Sequence, residues 1–362
     1  WVIFLLFASY SNFFDFGFSP TLSREIAFAL GSNEASESAR SNQTKDLFKT
    51  VNTFFVFAAI LLLTASYVLA YPFLINTAPP DFKEQIPTIY LVFISGIFVN
   101  ILGAGALATL YGLGDLVWEK GIKISGQVIW ICLSIWFSIL GWGMLGLAIA
   151  WSFQNIVTRI ISFAVLKIRH AWIYEYKGTY QTQLLKRMLK PSMSWSVMSL
   201  GSILILQTGS LVIASYLGPT EVLSYDFSLK MCIAILSLAM ILANSSSPFI
   251  SRSYAQNDLK SVRIMLFKNI KLGMIATLFL AAYLAVYADI IVNYWLGSQR
   301  FSGFPILWIL LATIILEAHH IIHAGAATAA GKVVFGTIAI VAGVLNLTIA
   351  LVGVRIFGVA GV

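Results

Sequence analysis

The sequence predicts an all-α integral membrane protein built of two parallel six-helix lobes, and three observations predict it. Hydrophobic residues make up 59% of the 362-residue chain and charged residues 10%, with a mean hydropathy of +0.87; soluble domains carry about 25% charged residues. Apolar runs such as FFVFAAILLLTASYVLAYPFLI (54–75) exceed the roughly 20 residues that cross a bilayer as a helix. Short sequence elements recur in the same order between 215 and 228 positions apart. Lipid admits only helices or closed barrels as spanning structures. Barrel strands would show short period-two alternation, whereas these runs are long and continuous.

Ten spans follow, at 1–28, 50–75, 86–111, 117–140, 142–168, 190–216, 222–252, 266–293, 303–329 and 333–356. Residue 1 is Trp inside an apolar run, with no signal-peptide layout, and residue 362 follows GVAGV where another span is ready to start. A chain that continues at both ends is therefore expected, with about ten of twelve helices present. Cys132 and Cys232 both lie within apolar spans and read as small buried residues, not as a disulfide framework.

The formal net charge is +8, and its distribution decides what it means. Of the 23 Lys and Arg residues, eighteen fall in one set of loops, among them Arg40, Lys45, Lys49, Lys186, Arg187, Lys260 and Arg263. The alternate loops hold three, Lys83, Arg300 and Arg355, while Arg159 and Lys230 fall within spans. Cytoplasmic loops carry the Lys/Arg excess, so the charge reads as topology and not as a nucleic-acid footprint. Trp142 and Trp295 near the outer ends, and Trp118 and Trp172 near the inner ends, suit interfacial belts.

The repeat begins with SPTLSREIA (19–27) and SPFISRSYA (247–255). LFK recurs at 47–49 and 266–268, AGALAT (104–109) is echoed by AGAATA (324–329), and GMLG (143–146) by GVAG (358–361). Six spans separate the copies, so the halves run in the same direction, as in parallel-repeat secondary transporters. This divides the chain into an N-terminal lobe (1–170) lacking its first helix, a cytoplasmic linker (171–189) and a C-terminal lobe (190–362) lacking its last. Ser19 and Ser247 are expected as N-caps, with Pro20 and Pro248 at the first helical position. Arg24 and Arg252 are open to two readings: arginines snorkelling at the inner interface, or a symmetric pair lining a cytoplasmic entrance.

FDFGFSPTLSREIA resembles the second-helix signature of polysaccharide flippases in the multidrug/oligosaccharidyl-lipid/polysaccharide exporter superfamily. SYLGPTEVLSYDFSLKM (215–231) is similar to their seventh-to-eighth helix connection, SSSPFISRSYAQNDLKSVR (245–263) to the end of their eighth helix, and RIFGVAGV (355–362) to the entry of their twelfth. The resemblance covers essentially the whole chain. It implies two six-helix lobes around a central cavity, alternating access, and a lipid-diphosphate-linked oligosaccharide of the O-antigen or capsule type as substrate. It further implies residence in the cell membrane, membrane lipids as partners, and a polysaccharide polymerase with chain-length machinery as candidate partners. Drug/cation antiporters share the fold.

Ionisable residues inside a membrane are functional candidates by default. Lys230 lies nine residues after Glu221, roughly 14 Å into its helix. It reads either as a cavity cation for anionic headgroups or as the partner of Asp226 four residues earlier. Arg159 is a second cavity or snorkelling candidate. Asp15, ahead of Gly17 and Pro20, marks a helix break. In ILEAHHIIHAGAA (315–327), Glu317, His320 and His323 form a candidate for coupling to H⁺ or Na⁺, alongside Asp15 and Asp226. A metal is not expected, because the zinc-protease pattern needs its Glu next to the first His inside the motif.

A positive cavity from Lys230, Arg159, Arg24 and Arg252 favours an anionic lipid-linked sugar over a drug cation. An enzyme is not expected: the sequence holds no Asp-x-Asp and no Gly-x-x-x-x-Gly-Lys-(Ser/Thr), and its longest outer connection (76–85) is too short to fold as a domain. No cofactor is implied.

Overall fold

A computed structural model of the protein describes residues 4, 8, 12–31, 36–77, 83–175, 178–206, 208–217, 219–297, 301–332 and 335–362. Among these residues every regular element is a helix. Eight helical stretches are long and apolar enough to span a membrane: Glu37–Ala70, Ile86–Leu113, Leu116–Ile139, Gly143–Arg169, Ser224–Ala255, Leu259–Trp295, Phe304–Ala329 and Phe335–Gly361. They coincide with eight of the ten expected spans. The expected span 1–28 falls partly, and 190–216 at residue 207, outside the described residues, as do Lys177 and Arg300.

The chain divides into two compact units, Trp1–Met193 and Ser194–Val362. Unit 1 contains α1 (Phe18–Gly31), α2 (Glu37–Ala65), α3 (Tyr71–Thr77), α4 (Ile86–Leu102), α5 (Ala104–Leu113), α6 (Leu116–Ile139), α7 (Gly143–Arg169) and α8 (Trp172–Glu175), with the start of α9 (Thr182–Leu206). A π turn, Ser66–Ala70, joins α2 to α3. Its core is built from Leu22 and Ile26 of α1, Leu47, Val51 and Phe55 of α2, and Ile89, Phe93 and Ile97 of α4. These spacings of four put one face of each helix inward. Helices approach closely where a side chain is missing. A Cβ on Gly96 would stand 2.6 Å from the Cα of Ser152, whose hydroxyl donates to the Val92 carbonyl at 2.5 Å. Small residues at such crossings are the usual means of packing helices in lipid.

The segment expected as a linker packs on unit 1. Thr179 donates its N–H to Asp46 at 2.7 Å, Gln181 donates to Thr50 at 3.1 Å, and Met188 is buried in the unit-1 core.

Unit 2 holds α10 (Thr208–Tyr216), α11 (Pro219–Ala255), α12 (Leu259–Leu296), α13 (Phe304–Ala329) and α14 (Phe335–Phe357). Leu307, Leu311, Ile314, Ala318 and Ile322 form one buried stripe of α13, packed with Cys232, Leu236, Ala239 and Ala243 of α11. With 37 and 38 residues, α11 and α12 are each about 56 Å long, well beyond a hydrocarbon core of about 30 Å. The end of α12 that overshoots carries Lys260, Arg263, Lys268 and Lys271. Both cysteines are free thiols; Cys232 is buried and Cys132 is exposed, against the expectation that both are buried, because the face of α6 around it (Val128, Ile131, Ile135) is apolar and outward.

The two serines expected as N-caps are not caps. α1 begins two residues before Pro20, at Phe18, and the Asp15 carboxylate does the capping: its Oδ1 accepts from the Ser19 N–H at 3.0 Å and the Ser19 hydroxyl at 3.1 Å. Ser247 and Pro248 lie inside α11, which runs through them unbroken. Pro248 removes one backbone donor, and the neighbouring Ser246 hydroxyl bonds the Ala243 carbonyl at 3.0 Å.

Candidate functional site

In unit 1, Asn100 and Asp15 gather around Arg159. Its Nε donates to Asn100 Oδ1 at 3.0 Å, and Nη2 donates to the same oxygen. Its aliphatic stem lies over Gly103, where a Cβ would meet Cδ at 2.7 Å. The α4–α5 junction at Gly103 thus leaves the groove in which the arginine lies. Asp15 is close enough for its charge to interact with that of Arg159. Asp15, Asn100 and Arg159 come from three separate segments and are all half-buried. Asn100 was not singled out in the sequence, although a lone amide in IYLVFISGIFVNIL is itself a signal.

Arg24 is buried and forms a 3.0 Å ion pair with Glu25, which also receives Arg187 Nη2 at 2.7 Å. The Arg24 guanidinium stands 5.8 Å from the Phe28 ring, and its Nε and Nη1 have no protein partner. The snorkelling reading therefore does not hold for Arg24, because its head group is packed inside unit 1. Arg252 is half-buried near the end of α11.

In unit 2 the candidates separate. Asp226 accepts a hydrogen bond from the Ser210 hydroxyl of α10, and no ion pair joins it to Lys230 among the described residues. The pairing allowed by their spacing is thus replaced by a contact between helices. Lys230 is exposed, and so are Ser237 and Asn244. At spacings of seven they share one stripe of α11, on the side opposite Cys232, Leu236, Ala239 and Ala243. A lysine, a serine and an asparagine thus share one exposed face of a spanning helix, with the exposed Ile241 among them.

On α13, Glu317 is half-buried and near enough to the exposed His320 for their charges to interact. His323 is turned elsewhere: its Nδ1 lies 2.8 Å from the His319 carbonyl and its ring 4.4 Å from that of His319. Glu317, His320 and His323 therefore do not converge, and among the described residues no three His, Cys, Asp or Glu side chains gather as metal ligands.

Residues 3–301 match the model of a family described as polysaccharide biosynthesis protein. A comparison with curated protein sequences finds no match. Among solved structures the chain is similar to the Vibrio cholerae MATE transporter VcmN. The bent form is 18% identical with a TM-score of 0.78, and a point mutant of the same transporter is 17% identical with a TM-score of 0.82; each alignment covers 99% of this chain and 82% of that one. A MOP superfamily transporter from Pyrococcus furiosus, in which a reversed polarity of the binding pocket suggests a different function, is 15% identical with a TM-score of 0.69 over the same shares. At these identities the likeness establishes the fold.

Proposed function

The chain belongs to the polysaccharide biosynthesis protein family, and from that premise we propose that it is a flippase carrying a lipid-diphosphate-linked oligosaccharide from the inner to the outer leaflet of the cell membrane. The observation that supports this most is Lys230, an exposed lysine on the polar stripe of a spanning helix, with no ion pair among the described residues. A diphosphate entering from water meets a cation whose charge is not neutralised in place. The stripe continues through Ser237 and Asn244 as hydrogen-bonding surface for sugar or phosphate. Arg252 adds positive charge on the same helix, and Arg159 and Arg24 do so within unit 1.

Movement is by alternating access, coupled to H⁺ or Na⁺, with Asp15, Asp226 and the Glu317–His320 pair as the acids available for coupling. The excess of Lys and Arg in one set of loops supports a cytoplasmic position for both Ser-Pro-x-x-Ser-Arg elements. A polysaccharide polymerase and its chain-length machinery are the partners such a flux would serve.

The test is a reconstitution in proteoliposomes with a fluorescent lipid-diphosphate oligosaccharide in one leaflet, following its arrival in the other. Wild type flips it, Lys230→Ala is at least about tenfold slower, a barrier change of about 1.4 kcal/mol, and Lys230→Arg retains most of the rate. Absence of flipping by wild type, with ion-driven uptake of a cationic dye, makes the protein a drug/cation antiporter instead.

A further inference from the structure

Unit 1 holds a cavity of about 160 Å³ beneath the π turn that joins α2 to α3. Its walls are Phe14, Leu62, Leu69, Leu74, Phe93 and Ile94, with Ser66 and Tyr90 as polar members. Those two are joined, because the Tyr90 hydroxyl donates to Ser66 Oγ at 2.7 Å. The lining therefore has little to offer a water molecule. An engineered cavity of roughly 150 Å³ with Leu, Ile and Phe walls stays dry and binds benzene. The guest that fits this one is hydrocarbon, on the order of six carbons of a chain.

The sequence explains why the cavity is there. Pro72 has no N–H, and its ring would clash with the carbonyl of Val68 in a regular helix. The chain absorbs this by widening to a π turn over Ser66–Ala70, closed by the Tyr71 N–H on the Ser66 carbonyl. Widening pushes Tyr67, Val68 and Leu69 outward, at 66%, 60% and 71% exposure, while Leu62, Ala70 and Leu74 stay buried. The cavity thus sits under a rim of exposed apolar side chains on a spanning helix. Ser66 is seventeen residues beyond Lys49, about 26 Å along the helix, so the rim lies in the leaflet opposite the basic end of α2. Turns of this kind in spanning helices recur at functional sites.

We infer that this cavity is a binding site for one hydrocarbon chain of a membrane lipid, entering past Leu69. The inference does not depend on the flippase reading. A phospholipid acyl chain and a polyprenyl chain present the same chemistry, and the experiment separates them.

The intact protein, carrying the photoreactive amino acid benzoyl-phenylalanine in place of Leu69, is placed in nanodiscs of phosphatidylethanolamine and phosphatidylglycerol, with or without polyprenyl phosphate. Adducts are identified by mass spectrometry. Leu61, exposed on the same helix and outside the cavity, serves as the control position for ordinary contact with bulk lipid. Lipid adducts are expected several-fold more often at Leu69 than at Leu61, and the excess disappears when Ala65, which also lines the cavity, is changed to Phe. An adduct of phospholipid mass identifies the bilayer as the source, and one of polyprenyl mass identifies a lipid-linked carrier; either supports the site. Equal yields at the two positions, or an excess that survives Ala65→Phe, overturns it. Native mass spectrometry of the unlabelled protein provides a second measurement. Wild type retains one more lipid than Ala65→Phe if the site exists, and the same number if it does not.

Discussion

Ser23 and Ser251 occupy the same place in the two copies of Ser-Pro-x-x-Ser-Arg and make the same bond. Ser23 Oγ donates to the Ala108 carbonyl at 2.7 Å, and Ser251 Oγ donates to the Ala329 carbonyl at 2.8 Å. Both acceptors lie in the small-residue segments AGALAT and AGAATA or at their edge, which the sequence paired independently. A second correspondence accompanies it. Gly143 and Gly358, the first residues of GMLG and GVAG, both take left-handed backbone, at φ 52° and 61°. Coincident letters do not generate coincident bonds, so the repeat is structural: within each unit a serine fastens the motif helix to the backbone of a small-residue helix.

Removing either hydroxyl therefore has a modest and matching cost. Ser23→Ala and Ser251→Ala are each expected to destabilise by roughly 0.6–1 kcal/mol, the usual worth of an interhelical hydrogen bond in lipid. Gly112→Ala costs more, about 1–3 kcal/mol, because its Cβ would stand 2.6 Å from the Ser23 carbonyl oxygen and backbone cannot move aside cheaply. Thermal unfolding in detergent checks the order. Equal melting temperatures for Gly112→Ala and wild type would contradict the contact.

The Asp15–Asn100–Arg159 group predicts non-additivity. Asn100→Ala removes the oxygen that holds the guanidinium, a bond to a charged group worth about 1.5–3 kcal/mol. Asp15→Asn and Arg159→Gln each leave the other charge without its counterpart. The double variant removes both charges and is expected to recover about 0.5–3 kcal/mol relative to the sum of the singles. Stability and flipping rate are measured on all four proteins of the cycle; strict additivity in both would mean that the two side chains act separately.

What the sequence made legible was whatever lipid and periodicity enforce. Continuous apolar runs located the eight described spans. The repeat was readable because it preserves residues that touch backbone. Side-chain partners were less accessible. Asp226 and Lys230 are correctly spaced for a helix pair, yet Ser210 on α10 takes the carboxylate. Asp15 meets Arg159 only through folding, and no local pattern encodes that approach. The start of α1 was misplaced for a physical reason: Asp15 reaches across a turn in which Phe16 and Gly17 both have positive φ (48° and 69°), so the cap stands before the serine that resembles one. Pro248 reads as a helix start, but α11 runs through it unbroken.

The stripe Lys230–Ser237–Asn244 predicts reactivity toward water-borne reagents. In a protein lacking its native cysteines, Lys230→Cys is expected to react with a charged methanethiosulfonate, since only a hydrated thiol ionises readily. Native Cys132, on an outward face with Val128, Ile131, Ile135 and Trp136, is expected to stay unmodified when tested alone. Protection of the Lys230→Cys variant under all substrate and ion conditions would count against a water-lined cavity at that level.

The last prediction concerns the ends of α6 and α7 where Asp115 precedes α6 and Arg169 and His170 close α7. Asp115 receives Arg169 Nε at 2.9 Å and Nη2 at 3.2 Å, and His170 Nε2 lies 2.7 Å from its Oδ2. The hydrogen bond from Arg169 is the main cause of an Asp115 pKa below the ordinary carboxylate value of 3.8. A carboxylate with a depressed folded-state pKa contributes stability that is fully present above its unfolded value and is lost as pH falls through the folded one. Wild type is therefore expected to lose part of its stability below about pH 4, and Asp115→Asn to show a shallower decline there while being less stable by about 0.5–1 kcal/mol at neutral pH. Because Arg169 is 43% exposed, added salt should shrink the neutral-pH difference. Unfolding followed from pH 7 to pH 3, at low and high salt, checks both signs. An Asp115→Asn protein that matches wild type at pH 7 would show that the α6–α7 hairpin is held by its apolar contacts alone.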